Sequence, residues 1–397
     1  MSYQVAIVGG GLAGKALALA LADTSIGSII FEREKDFYSN DNRVFALSNG
    51  SLRILDHLKL LEELEEDSYP IEKIHISYAK KFGTSLIHAS EENVDILGRS
   101  ISVKKLNELL NEKIANSELI DIRYGDVELI KDQKQGERYQ LKYHDSGQHF
   151  QFDPALIIAC DGLNSSVRKT LGIKVNEKDY QQIASIFHVS AKKEVQFTAF
   201  ERFARDSAIA MIPNGKDHYT AVWVMNAKGF DQEKFRDSQY LQSAFNESFG
   251  KRLGPLKVKD NTSFFPLKRS ISELSYKKNV LMIGSSAIHL HPIAGQGYNL
   301  ILRDIAVVAE LLGNQAKKNN LNLKQFLNEY DQWRHEDHQK VSTFTHGLGK
   351  LSSGSLPFVK EFFGLGLFFF DTLSEGKNLL SKHTMGLTGR MPKAMIR

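Results

Sequence analysis

The stretch "QVAIVGGGLAGKALALALA", residues 4–22, constrains this chain more than any other. A short apolar, β-rich run ends in glycines, and an amphipathic helix follows at once. Gly9, Gly11 and Gly14 form G-x-G-x-x-G across that junction. Such spacing gives a tight turn, close approach of backbone to a pyrophosphate, and close helix–strand packing. The helix start also offers unpaired N–H groups and a positive dipole end to phosphates. "SIIFERE" then reads as a second strand, so the chain opens with a βαβ unit. Glu32 closes that strand about 20 residues beyond the loop, where a carboxylate accepts bonds from both ribose hydroxyls. The pattern predicts an adenine dinucleotide without a 2′-phosphate, which leaves FAD or NAD.

The remaining chain is long enough for a second domain. Its 397 residues are 42% apolar and 25% charged, ordinary for a globular protein. A net charge of +4, dispersed along the sequence, gives no footprint for nucleic acid. The N-terminus lacks the basic region and cleavage site of a signal peptide. Cys160 is the one cysteine, which excludes an intramolecular disulfide and fits a reducing, cytoplasmic setting. "LIDIRYGDVELIKD" and "RYQLKYHD…HFQFD" read as strands of a meander, and helices are expected near residues 51–66 and 104–116. From about Tyr180 to Phe265, strands such as "AIAMIP" and "YTAVWVMN" alternate around one helix near Ser238–Phe249, as in an antiparallel sheet. "NVLMIGSS" resumes the apolar pattern of a parallel strand.

The expected fold is α/β: a Rossmann-like dinucleotide-binding domain (residues 1–75, 100–178 and 275–330) with an inserted, mostly antiparallel substrate domain (76–99 and 179–274). Residues 331–397 are expected to form a C-terminal helical region. Its end carries Lys377, Lys382, Arg390, Lys393 and Arg397 after the Phe-rich "LPFVKEFFGLGLFFFD", which is too short and interrupted to span a bilayer. Two readings stay open for residues 356–397: a helix packed on the body, or an interfacial helix touching anionic lipid.

Four segments resemble the FAD-dependent aromatic hydroxylases of the single-component class: the glycine loop, "NRVFALSNGS" around Arg43, "CDGLNSSVRKTLG", and "GSSAIHLHPIAGQGYNLILRD". The last, together with "FERFARDSAIAMIP", is similar to the ubiquinone-biosynthesis branch. The resemblance runs essentially from end to end. It implies FAD as resident cofactor, NAD(P)H as a transient reductant, and O2 and a polyprenyl-phenol (such as a 2-polyprenyl-6-methoxyphenol) as substrates. It assigns Gly295, Gln296, Gly297 and Asn299 to a flavin cradle, and Asp161 and Gly162 to contacts with FAD and the reduced nicotinamide. Arg43 is expected to pair with pyrophosphate or guide the flavin; Arg33 follows Glu32 at the ribose.

Physically the cradle makes sense. Pro292 stiffens the chain, the two glycines admit a flat ring, and the helix that follows presents its N–H groups to an anionic reduced flavin. Pro292 and His291 are expected beside that ring. His289 and His291 form H-x-H, but no third ligand stands at usable spacing, so no metal is expected. By the resemblance most of the family has an Asp where this chain has Ser285, while the ubiquinone branch tolerates a neutral residue; the shorter side chain forfeits a contact of about 0.5–1.5 kcal/mol, which implies a weaker site and not a dead one. Phe203, Met211 and Trp223 are candidates to line the substrate pocket between cradle and inserted sheet. Because the flavin carries the chemistry, no catalytic base is required. Rival readings are a hydroxylase of a small soluble aromatic, or a degenerate flavoprotein serving as scaffold in a biosynthetic complex. Peripheral attachment to the inner face of the membrane is the localisation that a polyprenyl substrate suggests.

Overall fold

The computed structural model describes residues 4–35, 41–80, 83–132, 138–145, 148–193, 195–204, 206–259, 262–318, 321–352, 385–387 and 389–396. Most of the segment 356–397, on which the two C-terminal readings rest, lies outside the described residues.

A six-stranded sheet organises the nucleotide half, in the order Tyr276–Lys277, Val280–Met282, Leu156–Ala159, Val5–Val8, Ser28–Glu32, Ile120–Tyr124. All neighbours are parallel except the first pair. Val5–Val8 and Leu156–Ala159 are buried along their whole length, which is why they read as continuous apolar runs. Helices Leu12–Asp23, Val103–Ala115 and Gln296–Ala316 cover one face through a single apolar core. Leu17 and Leu21 of the first helix are fully buried in it, each contributing about 1.5–3 kcal/mol.

The other face is covered by a three-stranded meander, Asp126–Lys131, Tyr139–Asp145 and Gln148–Phe152. Here the expectation needs correction. Not all of "LIDIRYGDVELIKD" belongs to the meander: Ile120–Tyr124 closes the parallel sheet, and Gly125, at φ +153°, turns the chain into the meander. The helix expected over 51–66 is likewise two, Asn49–His57 and Leu61–Glu65, separated at Lys59 with φ +57°.

The second half is a nine-stranded sheet. It runs Ile288–His289, Ser263–Ser272, Val175–Ala191, His218–Asn226, Ser207–Pro213, Thr198–Phe203, Lys73–Tyr78, Thr84–His88, with Leu256–Val258 beside Val175–Ala191. Only Thr198–Phe203 against Lys73–Tyr78 is parallel. One face packs under helix Ser238–Phe249, whose start Asp237 caps by accepting from the Tyr240 N–H at 2.7 Å. The 17-residue strand Val175–Ala191 pairs near its start with Ser272 and, through that partner strand, with Ile288–His289 just before the expected cradle.

Behind the nucleotide sheet, helix Leu323–Ser352 packs on Gln296–Ala316. The contact buries ions: the Asp304 carboxylate accepts from Arg334 Nε at 2.5 Å and His338 Nε2 at 2.8 Å, while Asp337 binds Arg303 and Arg334. Met385 and Met395 are buried, and Arg390 lies 3.6 Å from the Trp333 ring centroid. Among the described residues no helix is long and apolar enough to cross a membrane.

Candidate functional site

The glycine loop forms as its spacing requires. A Cβ on Gly14 would stand 2.0 Å from the Gly9 carbonyl oxygen, and one on Gly9 (φ +103°) 2.5 Å from that of Cys160. Gly11 is the cap position of the helix, and its carbonyl accepts from the Lys15 N–H at 3.0 Å. Gly10, to which the motif gives no role, is as constrained. A Cβ there would meet the Glu32 side chain at 2.7 Å, and its N–H donates to Glu32 Oε2 at 2.6 Å. Glu32 Oε1 accepts from the N–H groups of Arg33 (2.6 Å) and Glu34 (3.1 Å). Three backbone donors thus fix the carboxylate at the strand end. Arg33 itself is exposed and borders the same cleft.

That cleft measures about 820 Å³, within the range of cofactor sites, and runs past Gly9–Gly11, Lys15, Glu32, Asp161 and Gly162. Asp161 Oδ2 accepts from the Val167 N–H at 3.1 Å and the Ser166 hydroxyl at 3.2 Å. Its Oδ1 is buried with no partner among the described residues. A buried oxygen left over in this way fits a ligand that brings a hydroxyl. Gly162 has φ +80°, so it serves the turn by conformation.

Ser285 sits half-buried in the turn Gly284–Ser286. Gly284 adopts φ +65°, and a Cβ on it would lie 3.6 Å from Ala13 Cβ. The turn therefore stands against the start of the glycine-loop helix, between the two expected cradles. Arg168, nearly fully buried, ties it to the Asp161 turn: Nη1 donates to the Ser286 carbonyl and Nη2 to that of Leu163, both at 2.7 Å. The sequence carries no signal for this role: Arg168 stands beside Lys169 in the polar helix start "SVRKT" and looks like a surface charge.

The second cradle is the loop before helix Gln296–Ala316. Gly295 has φ +60°, which makes the corner. Gln296 is buried, whereas Gly297 is exposed and a Cβ there would meet nothing within 4 Å, so the helix start is open to a planar ligand. Asn299 lies within the protein. Its Oδ1 accepts from the Ser48 N–H (2.9 Å) and Ser51 hydroxyl (2.7 Å); its Nδ2 donates to Ala46 O (3.0 Å) and Gly295 O (2.8 Å). It fixes the loop against "NRVFALSNGS". Tyr298 joins the cradles, stacking on Phe45 at 4.9 Å and donating to Leu12 O at 3.3 Å.

Pro292 is exposed at the loop edge, and His291 is turned inward. His291 Nδ1 accepts from the Ile293 N–H at 3.3 Å, so Nε2 carries the proton and donates to Gln182 Oε1 at 3.0 Å. Burial, with His346 nearby, lowers its pKa from 6.5 to about 4. Half-buried His289 is also lowered by burial. Arg43 forks onto Asp41, with Nε at 2.9 Å from Oδ1 and Nη2 at 2.5 Å from Oδ2, and its guanidinium lies 6.0 Å from the Phe265 ring centroid. Burial would raise the Asp41 pKa, but its bonds to Arg43 hold it below the usual value.

The three pocket candidates divide between two faces. Phe203 packs with Ile293 on the cradle side of the large sheet. Met211 and Trp223 are on the opposite side, under Leu241, Phe245 and Phe249. Strand alternation accounts for this: Phe203 pairs with Ala208, whereas Met211 pairs with Phe200, an odd number of residues away. Among the half-buried residues that share the Phe203 side are the apolar Ile186, Val222 and Ala210, aligned across three strands, with Glu201 paired to Ala210.

The chain is similar to known proteins over most of its length. Over 391 residues the chain is 25% identical to the ubiquinone hydroxylase UbiL of Rhodospirillum rubrum, covering 96% of this chain and 89% of that one. It is also 25% identical to the 3-demethoxyubiquinol 3-hydroxylase of Escherichia coli, over 78% of this chain and 80% of the relative. The p-nitrophenol 4-monooxygenase PnpA of Pseudomonas putida shares the fold, with a TM-score of 0.81 at 15% identity over 98% of this chain and 99% of PnpA. The family model described as the FAD binding domain matches residues 2–345, and the chain belongs to that family.

Proposed function

We propose that this FAD-dependent monooxygenase hydroxylates the aromatic ring of a polyprenyl-phenol in ubiquinone biosynthesis, with NAD(P)H as reductant and O2 as oxidant. What carries the reading is the pair of cradles held in one frame. The Gly284–Ser286 turn stands between Ala13 of the glycine-loop helix and Ile301 of the Gln296–Ala316 helix, Tyr298 of the latter donates to the Leu12 carbonyl, and Asp161 Oδ1 in the glycine-loop cleft is left over among the described residues. The names of the two relatives add the substrate class.

Bound there, FAD supplies dioxygen activation and delivery of one oxygen atom to an electron-rich ring. The chain's own residues bind, orient and exclude water. Glu32 accepts from ribose hydroxyls, and the glycine loop with its helix start takes the pyrophosphate. At the start of helix Gln296–Ala316, the N–H groups of Gln296 and Gly297 would stabilise the negative charge of a reduced flavin held in this loop, an effect of up to about 2 kcal/mol when partly buried. Phe203, Ile186, Ala210 and Val222 supply an apolar wall opposite the cradle. His291, engaged at both nitrogens, shapes the cradle and moves no proton. Activation of the ring is left to the substrate's own phenol. A polyprenyl tail partitions into lipid, so the same reading puts the enzyme at the inner face of a membrane, with the Phe-rich part of residues 356–397 ahead of Met385 suited by sequence to that contact, since Met385 and Met395 beyond it are buried in the body.

The test begins with the visible spectrum of the purified chain and identification of cofactor released on denaturation. A flavin spectrum with FAD near one per chain is expected. Oxidation of NADH or NADPH should then depend on an added short-chain polyprenyl-phenol, whose product gains one oxygen atom by mass. A protein that stays colourless in excess FAD overturns the reading.

A further inference from the structure

The nucleotide cleft does not end at Glu32. It continues along Gly125, Asp126 and Glu128 to His144 on the neighbouring meander strand. Gly125 donates its N–H to the Glu32 carbonyl at 2.8 Å, so the first meander residues stand directly beside the ribose-binding carboxylate. A Cβ on Gly125 would lie 2.6 Å from the His144 carbonyl oxygen, so the two strands meet only because that residue is glycine. A base attached to a ribose at Glu32 has this wall to lie against.

His144 is held for contact. It pairs across the strands with Asp126 on one side and His149 on the other. The His149 ring meets it edge-on, with centroids 4.4 Å apart and planes at 86°. Its Nε2 is nonetheless buried and without a hydrogen-bond partner among the described residues. Glu128 Oε2 is 3.9 Å away, beyond hydrogen-bond distance. A fixed ring nitrogen, hidden and unmatched at the rim of a ligand cleft, calls for a partner from outside the chain.

We propose that His144 reads the amine-bearing edge of the adenine, its Nε2 accepting a hydrogen bond from the exocyclic amine. The Glu128 carboxylate beside it favours the same edge, because both present lone pairs to a donor. A purine with a carbonyl at that position would set oxygen against both acceptors. The inference rests on the FAD reading above and adds discrimination at the base.

The test titrates the cofactor-free, full-length chain with FAD and with the flavin dinucleotide carrying hypoxanthine in place of adenine, followed by quenching of flavin fluorescence. The wild type should bind FAD about tenfold more tightly, the effect of one hydrogen bond with a mismatch in its place. His144→Leu should weaken FAD and close the gap to the analogue, whose own binding should hold or improve as one of the two opposing acceptors is removed. His144→Gln, which keeps an acceptor, should retain part of the preference. Equal binding of both dinucleotides by the wild type overturns the proposal, whatever the variants do. So does an equal loss for both ligands in His144→Leu, the mark of a merely structural role. Failure to bind either dinucleotide would overturn the FAD reading itself, so the two failures are distinguishable.

Discussion

Acid should loosen this protein through His291, and by a calculable amount. The imidazole is 1% exposed, accepts at Nδ1 from Ile293 and donates at Nε2 to Gln182. The edge of Tyr180 closes over it, with ring centroids 4.7 Å apart. A second proton could only go to Nδ1, where it would face the Ile293 N–H. Burial and the neighbouring His346 accordingly bring its pKa from 6.5 to about 4. Because the folded value lies below the unfolded one, the unfolded chain takes up the proton first. The stability that neutral His291 contributes is complete above about pH 6.5 and is lost as pH falls towards 4. The full loss is about 3 kcal/mol, a sizeable part of the roughly 5–15 kcal/mol that holds a domain together. His75, also lowered to about 4 by burial and Arg252, adds to the same trend but is common to both proteins compared. Urea unfolding of the wild type and His291→Gln between pH 4.5 and 8 isolates the His291 part. The wild type should lose its advantage over the variant as pH drops below 6.5. Curves that stay parallel throughout would refute the assigned tautomer and the burial argument together.

Three substitutions test the rest of the frame. Gly14→Ala gains about 1 kcal/mol in helix propensity, yet its Cβ would stand 2.0 Å from a backbone oxygen that cannot yield without moving the helix; the urea midpoint should fall and the chain should lose FAD on gel filtration. Glu32→Gln turns an amide towards three backbone N–H groups, and fluorescence titration should show FAD binding at least about tenfold weaker, as for a lost charge-assisted bond. Asp304→Asn leaves Arg334, 2% exposed, and His338 facing a neutral amide. Denaturation should show a loss of about 3–5 kcal/mol, largely recovered in Asp304→Leu with Arg334→Met, since an apolar pair replaces a buried ion pair at little cost.

What the sequence made legible, and what it hid, follows from how each feature is encoded. The nucleotide end depends on backbone approaching backbone, and only glycine permits it, so Gly9 and Gly14 could be read directly. The large sheet is apolar on both faces, one for helix Ser238–Phe249 and one for the cradle. Alternation within a strand says that Phe203 and Met211 face opposite ways only once register is known, and never which face meets a pocket. Gly125 could have warned that "YGDVE" changes sheets, but a glycine in a strand run marks a bulge as readily. Asp304 and Arg334 were hidden because each is an ordinary charged residue in a helix until the partner helix is in place.

Ser285 then takes on a different weight. The resemblance implies that most of the family carries an acid there for a cofactor contact, and a serine in its place could also have left the turn unsupported. The structure supports the turn by other means. Ser286 donates its hydroxyl to Ala159 O and Ile283 O, both at 2.7 Å, and Arg168 clamps the Ser286 carbonyl from the Asp161 side. These bonds all run to backbone atoms, so they fix where the turn stands whatever side chain occupies position 285. The substitution therefore removes a contact from the site and leaves its frame intact. A weaker FAD complex in the same geometry is the result to expect, and a degenerate scaffold is not.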